Sequence, residues 1–245
     1  MHQERTYRNH LYHDQLTSFR TIVKETDLYI RADKNLSTEA KESILTHRGY
    51  IETFIRQHPE FAVSLVPLHF PKPIPQIIDA MMDASNRSAV GPMAAVAGAI
   101  AEYIGHDLLR YSQEIIIENG GDIFIRTNTP VTIAIFANQS PLNMRMGLKI
   151  DCCGRPIAVC TSSGTVGHSL SLGNADAASV VSRSCSVADA AATAIANRVK
   201  HKADVNDAIH FGKDIKGVKG VIIIKDDKAG IWGDLNVVQL HQNNG

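Results

Sequence analysis

This chain of 245 residues lacks a charge surplus of either sign, since 25 Lys plus Arg balance 25 Asp plus Glu. Without a basic excess it has no long-range field to hold nucleic acid or an anionic membrane, so any anion must be held locally. Long apolar runs are missing too. The longest small-apolar stretch, Ala89 to Ile104, contains Glu102 and falls short of the ~20 residues of a bilayer-spanning helix. The N-terminus, Met1-His-Gln-Glu-Arg-Thr-Tyr-Arg8, is polar and carries no apolar signal core, which leads us to expect a cytoplasmic protein. Cysteine is sparse: Cys152, Cys153, Cys160 and Cys185 form no Cys-x-x-Cys metal pair, and adjacent cysteines rarely bridge, so reduced thiols are expected. The 11 histidines are scattered, with no His-Glu-x-x-His pattern, which argues against a zinc hydrolase. No Walker sequence occurs, nor a Gly-x-Gly-x-x-Gly after a strand, and we find no strong repeat or low-complexity tract.

What is present is a globular composition, 44% hydrophobic and 20% charged, long enough to bury one large core or two small ones. Leu16 to Lys24 and Leu28 to Ala32 are β-rich runs separated by Glu25-Thr-Asp27 and predict a hairpin. Ser37 reads as a helix cap before an amphipathic helix over 38–57, in which Ile44, Ile51, Phe54 and Ile55 recur at helical spacing. Pro67, Pro71, Pro73 and Pro75 then mark an extended connector. It divides a segment 1–75 from a core 76–245, the two together forming one compact unit. Helices are predicted at 76–84 and 93–103, the second alanine-rich and buried. Consecutive antiparallel strands follow at 114–118, 123–125 and 131–136, with others at 144–150 and 157–161, after which a glycine and hydroxyl loop leads through Ala177 to Val181 into the Asp189 helix. Val218 to Ile224 and Leu235 to Leu240 close the chain as a hairpin. The fold class is α+β, antiparallel sheets with packed helices, the two alanine-rich helices lying near each other.

Chemistry concentrates in four small, polar, glycine-punctuated segments. In Ser184-Cys-Ser-Val-Ala-Asp-Ala-Ala-Ala-Thr193, Asp189 and Thr193 stand one helical turn apart, and two oxygens on one face can hold a hard cation or a phosphate-rich ligand. The same stretch also fits a Ser186-x-x-Asp189 capping box, with Thr193 packed or bonded back to a carbonyl, and both readings stay open. Val90 to Ala95, Asn119-Gly120-Gly121-Asp122 and Thr161-Ser162-Ser163-Gly164-Thr165 through Ser169 are the other three. Glycines at strand ends let backbone N–H groups approach a ligand, and successive hydroxyls bond phosphate or ribose oxygens. A hairpin turn and an ordinary solvated loop account for the last two equally well. His168, at the end of the hydroxyl loop, is placed to act as a general base, and Trp232 reads as a core or interface anchor.

Together these segments resemble the ApbE superfamily. Asn119-Gly-Gly-Asp122 is similar to its Asn-x-Gly-Gly-Asp turn, Thr161-Ser-Ser-Gly164 to its Thr-Ser-Gly, and Ala188-Asp-Ala-Ala-Ala-Thr193 to its Ala-Asp-x-x-Ala-Thr. The resemblance covers about residues 85 to 200 and is closer still to an uncharacterised ApbE-like branch, through Glu25-Thr-Asp-Leu28, Gly91-Pro-Met-Ala-Ala-Val-Ala-Gly98 and Ser162 to Ser169. It implies a Mg2+-dependent enzyme that moves FMN from FAD to a protein Thr or Ser, with Asp189 and Thr193 as metal ligands and a backbone carbonyl of the Gly91 to Ala95 segment nearby. Asn119, Gly120, Gly121, Asp122, Thr161, Ser162, Ser163, Gly164 and Thr165 would cradle the flavin nucleotide. Two departures stand out. The superfamily's Gly-x-Ile-Ala-Lys-Gly lysine is missing, and its His-x-x-Asp-Pro-x-Thr-Gly segment is replaced by His168-Ser-Leu-Ser-Leu-Gly-Asn-Ala-Asp176. The reading is therefore a Mg2+-dependent enzyme on FAD or a related nucleotide diphosphate, of transferase or pyrophosphatase type, with an acceptor protein as a further partner and a homodimer as the assembly. The alternative is a non-catalytic flavin- or nucleotide-binding protein.

Overall fold

Ile115-Ile116-Ile117 and Val221-Ile222-Ile223-Ile224 are apolar at every position, which an antiparallel strand sustains only where both faces of its sheet are covered. The computed structural model, which describes residues 16–164 and 173–240, shows what covers them. Eight antiparallel strands lie in the order β1 (Thr17–Val23), β2 (Thr26–Ala32), β3 (Ile115–Asn119), β4 (Asp122–Arg126), β7 (Ile157–Ser162), β8 (Ala177–Ser182), β9 (Val218–Lys225) and β10 (Lys228–Gly233). A second sheet, in the order β11 (Asn236–Gln239), β6 (Met146–Ile150) and β5 (Val131–Ala134), packs on one face. Helices α1 (Ser37–Gln57), α3 (Gln76–Ser88), α4 (Val96–Leu108), α5 (Cys185–Ala196) and α6 (Val205–Asp214) pack on the other, and α2 (Glu60–Val63) is a single turn. Side chains alternate accordingly. Ile115, Ile117, Val221 and Ile223 join the core beneath the helices, while Ile116, Ile222 and Ile224 join the core shared with the small sheet.

Small residues bring the helices close. A Cβ at Gly105 of α4 would lie 2.3 Å from the Phe124 ring on β4, so only glycine lets α4 approach the sheet this nearly. Every residue of the alanine-rich α5 except Thr193 is buried. The Pro-rich stretch 67–75 carries no helix or strand, as its prolines require, yet β2 pairs with β3 across it, so the N-terminal hairpin is part of the main sheet.

Several expectations are corrected. Residues 131–134 do not continue the main sheet after β4, because β5 pairs with β6 in the second sheet. The closing hairpin is β9 with β10, and β11 pairs with β6. Ser37 is not the cap of α1: it is the first helical residue, and its amide donates to Asn35 Oδ1 at 2.9 Å. Helix α6 was not foreseen, being short and anchored chiefly by Val205, Ala208 and Gly212. The four cysteines are unbridged. Among the described residues no single helix is long and apolar enough to cross a membrane.

Candidate functional site

The site assembles where the β3–β4 turn meets the ends of two helices. Gly120 (φ 71°) and Gly121 (φ 113°) occupy the left-handed region open to glycine and close the two-residue turn between the paired Asn119 and Asp122. Gly121 donates its amide to Glu118 Oε1 at 3.0 Å, and Asn119 Nδ2 donates to the Ala97 carbonyl at 3.0 Å. One peptide further on, Gly98 N–H donates to Asp189 Oδ2 at 2.8 Å. A Cβ at Gly98 would lie 2.4 Å from the Cys185 carbonyl, so α4 and α5 touch backbone to backbone here. The hairpin, α4 and α5 are thus stitched together within two consecutive residues.

The Ser186-x-x-Asp189 capping box does not form. Ser184 is the N-cap of α5, its hydroxyl accepting from Val187 N–H at 3.3 Å, and Ser186 instead donates its hydroxyl to Glu102 Oε2 at 2.9 Å. The same Glu102 oxygen accepts from Ser184 Oγ and the Ser186 amide, so a carboxylate from α4 satisfies the start of α5. Asp189, freed from capping, faces α4. Thr193 is half-buried one turn on, and its hydroxyl has no hydrogen-bond partner among the described residues.

Asp122 and Asp189 are 7% and 9% exposed, and each acts on the other electrostatically. Burial, then the Asp189 charge, holds the Asp122 carboxyl well above the usual range, with Glu118 adding to the rise. Burial raises Asp189 to about 7 against the opposing amide hydrogen bonds of Gly98 and Ala97. Among the described residues no lysine or arginine is among the main groups acting on either. Two buried acidic side chains with no counter-charge among the described residues resist ionising together, and a cation would favour the fully ionised pair. The neighbouring Cys160 and Cys185 thiols lie 3.5 Å apart, and burial pushes both up, Cys185 to about 11, which keeps them protonated and poor nucleophiles.

The hydroxyl segment approaches from β7. Thr161 donates its amide to the Gly121 carbonyl at 3.3 Å, and its hydroxyl meets Ser179 Oγ at 2.8 Å. Ser162, Ser163 and Gly164 are half-buried, and Gly164 packs on Gly173, which in turn packs on the Ala196 carbonyl at the end of α5. Thr165 and His168 lie outside the described residues. Asn119, Gly120, Gly121, Asp122, Thr161 and Asp189 therefore form one cluster, with Ser162 to Gly164 leading towards the last turn of α5, where Thr193 stands. Among the described residues no three His, Cys, Asp or Glu side chains gather into a metal site.

A cavity of about 310 Å³ adjoins this cluster, lined by Ala97 and Asn119 together with Thr26, Arg48, Met93 and Val96 among others. Sequence reasoning missed Thr26 and Arg48, because only the tertiary fold carries the β1–β2 turn and α1 to this place. A larger cavity of about 700 Å³, between α1, α3 and α4, holds His47, Tyr103, Asp107 and Ser184 and none of the foreseen site residues. Asp189 and Thr193 line neither cavity.

Comparison with known proteins gives the chain a family and a fold. The model of the family described as AbpE bacteria matches residues 8–230. A UPF0280 protein of Methanococcus aeolicus is 39% identical over 219 residues, covering 87% of this chain and 88% of its own. A UPF0280 protein of Methanocaldococcus jannaschii is 39% identical over 222 residues, covering 88% and 90%. Among solved structures, the apo flavinyl transferase ApbE of Pseudomonas stutzeri superposes with a TM-score of 0.55 at 13% identity, covering 89% of this chain and 93% of its own. The ApbE protein of Thermotoga maritima gives 0.53 at 12% identity, covering 86% and 94%. At such identities the structural likeness speaks for the fold alone.

Proposed function

Because the chain belongs to the family described as AbpE bacteria and has the ApbE fold, we propose that it is a Mg2+-dependent cytoplasmic enzyme acting on FAD or a related nucleotide diphosphate. One observation carries this reading: the buried pair Asp122 and Asp189, which no basic side chain among the described residues offsets. The donor set suits the ion. Asp189, which accepts from the Gly98 and Ala97 amides, keeps carboxylate lone pairs, Thr193 one turn on has a hydroxyl without a partner among the described residues, and both are hard oxygen donors. Mg2+ keeps several waters and accepts substrate phosphate oxygens, so two or three protein oxygens suffice. When bound, the ion would neutralise a diphosphate and polarise its phosphorus–oxygen bonds.

The protein's own groups do the positioning. Gly120 and Gly121 leave room for a ligand to approach the turn, while the hydroxyls of Thr161, Ser162 and Ser163 supply polar contacts to phosphate or ribose. His168 is assigned the proton of the attacking hydroxyl, from water in a pyrophosphatase or from a Thr or Ser of an acceptor protein in a transferase. The four unbridged cysteines suit a reducing compartment, and a homodimer is the proposed assembly.

The test is calorimetric titration of FAD into the protein with and without Mg2+, followed by phosphorus NMR for FMN or AMP release. Mg2+-dependent binding that Asp189→Asn abolishes is the expected result. Absence of such binding, or affinity unchanged in Asp189→Asn, overturns the reading. Binding without turnover, even with candidate acceptor proteins supplied, would instead identify a non-catalytic flavin-binding protein.

A further inference from the structure

Glu102 on α4 divides its two oxygens between different tasks. Oε2 accepts from Ser184 Oγ, Ser186 N–H and Ser186 Oγ at the start of α5, whereas Oε1 has no partner among the described residues. Glu102 lines the cavity of about 700 Å³ between α1, α3 and α4, and Tyr103, His106, Asp107 and Arg110 follow it along one stripe of α4. Asp107 is already engaged: it accepts from Ser43 Oγ at 2.7 Å and meets His47 Nε2 at 2.9 Å. That contact fixes the His47 imidazole, and the Tyr103 and Tyr50 rings stand 5.3 and 6.3 Å from it, centroid to centroid. The half-buried Tyr103 hydroxyl has no partner among the described residues, and burial, then the charges of Glu102 and Asp79, hold its proton more firmly than usual. Asp79 itself pairs with Lys72 at 2.8 Å. Arg110, 3.7 Å from Asp107 Oδ1, is exposed. Ile74, Pro75, Ile77 and Ala80 add an aliphatic wall from the connector and α3.

We propose that this cavity binds a small primary amine, an ammonium group carried on an apolar body, at a site separate from the acidic pair and independent of the diphosphate reading. The chemistry follows from what each wall has left to offer. A primary ammonium has three N–H donors and no acceptor, which matches Glu102 Oε1 and the Tyr103 hydroxyl oxygen, both of which accept. Aromatic faces attract a cation, and Tyr50 and Tyr103 both line the cavity. The aliphatic wall takes the apolar body out of water. A carboxylate ligand would meet Glu102 and Asp107 with only the solvated Arg110 to offset them, and exposed charges offset little. The four-carbon stem of a lysine side chain would leave most of about 700 Å³ unfilled, so the body is that of a small molecule, a ring or a branched chain.

The experiment titrates the full-length protein with phenethylamine, with phenethyl alcohol, which keeps the shape without the charge, with phenylacetate, which reverses the charge, and with lysine capped at both ends. Phenethylamine should bind at least about tenfold more tightly than each of the other three, the scale of one charge-assisted contact. It should also shift the NMR signals of the Tyr50, Tyr103 and His106 ring protons. Glu102→Gln keeps an oxygen to accept at the start of α5, and should weaken phenethylamine at least about tenfold while leaving phenethyl alcohol unchanged. Ala80→Trp, filling the cavity from α3, should abolish binding of both. Circular dichroism checks that the variants fold, and should Glu102→Gln fail to fold, Ala80→Trp and the ring-proton shifts still decide. Ring protons unmoved by phenethylamine, phenethyl alcohol or phenylacetate binding as tightly as the amine, or phenethylamine affinity unchanged in either folded variant overturns the proposal. Capped lysine binding as tightly as phenethylamine overturns the assignment to a small molecule.

Discussion

The Gly98 amide donates to Asp189 Oδ2 at 2.8 Å, tying the first turn of α4 to the second turn of α5. Any side chain at Gly98 would collide with this arrangement, since a Cβ would sit 2.4 Å from the Cys185 carbonyl and 2.8 Å from Asp189 Cβ. Gly98→Ala should therefore destabilise the fold by about 3 kcal/mol, the scale of overpacking against backbone that cannot move aside. Gly49→Ala, in the exposed part of α1 where a Cβ meets nothing within 4 Å, should instead stabilise by about 0.5–1 kcal/mol. Urea unfolding of the two variants tests both signs, and similar midpoints would refute the packing account.

The acidic pair makes stability fall with rising pH in the metal-free protein. Asp189 is raised from an ordinary 3.8 to about 7, so the native state binds more protons than the unfolded chain between those values. Its stabilising contribution is complete below about pH 4 and is lost as pH rises through 7. Relative to Asp189→Asn, which does not titrate, wild-type stability should decline by up to about 1.4 kcal/mol per pH unit across that window. Thermal melts of both proteins at pH 4.5 to 7.5 with a chelator present provide the measurement, and parallel curves would remove the electrostatic argument.

Mg2+ should reverse that trend, since it favours the ionised carboxylates. Saturating Mg2+ is expected to raise the melting temperature of the wild type more at pH 8 than at pH 5. Asp189→Asn should lose the response, and Thr193→Val should weaken Mg2+ affinity at least roughly tenfold, the lower scale for loss of an oriented ligand. A melting temperature indifferent to Mg2+ at both pH values would refute this.

Glu102 stabilises the start of α5 through one oxygen that accepts from Ser184 Oγ, Ser186 N–H and Ser186 Oγ. Glu102→Ala should cost about 2 kcal/mol, because charge-assisted bonds and the favourable helix-end field are lost together. Glu102→Gln keeps an acceptor and should cost roughly half as much. Hydrogen exchange at the first turn of α5 should quicken in the alanine variant, and unchanged exchange would sink the prediction.

The β1–β2 hairpin, α1, α3 and α4 were legible because each depends on local chemistry: prolines at 67–75, helical spacing of Ile44, Ile51 and Phe54, and a run of alanines that packs closely wherever it lands. The departure of β5 and β11 into a second sheet was not legible. A strand's own residues record that it is apolar on one or both faces but not which neighbour covers them, and Val131 and Ile133 would pack as well against either sheet. Asp189 was ambiguous for a sharper reason. Ser184 and Ser186 both precede it at spacings near those of a cap, and Glu102 and Gly98, which decide between the readings, are distant in the chain.

By itself the sequence determined that Gly120 and Gly121 could take left-handed backbone without strain, and which helices were slim enough to touch, because a missing side chain acts on its own residue whatever surrounds it. Only the tertiary structure decided that Asp122 and Asp189 are buried where the charge of one acts on the other, and that Arg48 and Thr26 stand beside Asn119. The proton affinity of a carboxyl and the partners of a guanidinium depend on what the fold removes from water and sets next to them. That is a property of neighbours brought together from β2, α1, β4, α4 and α5, and no one of those segments contains it.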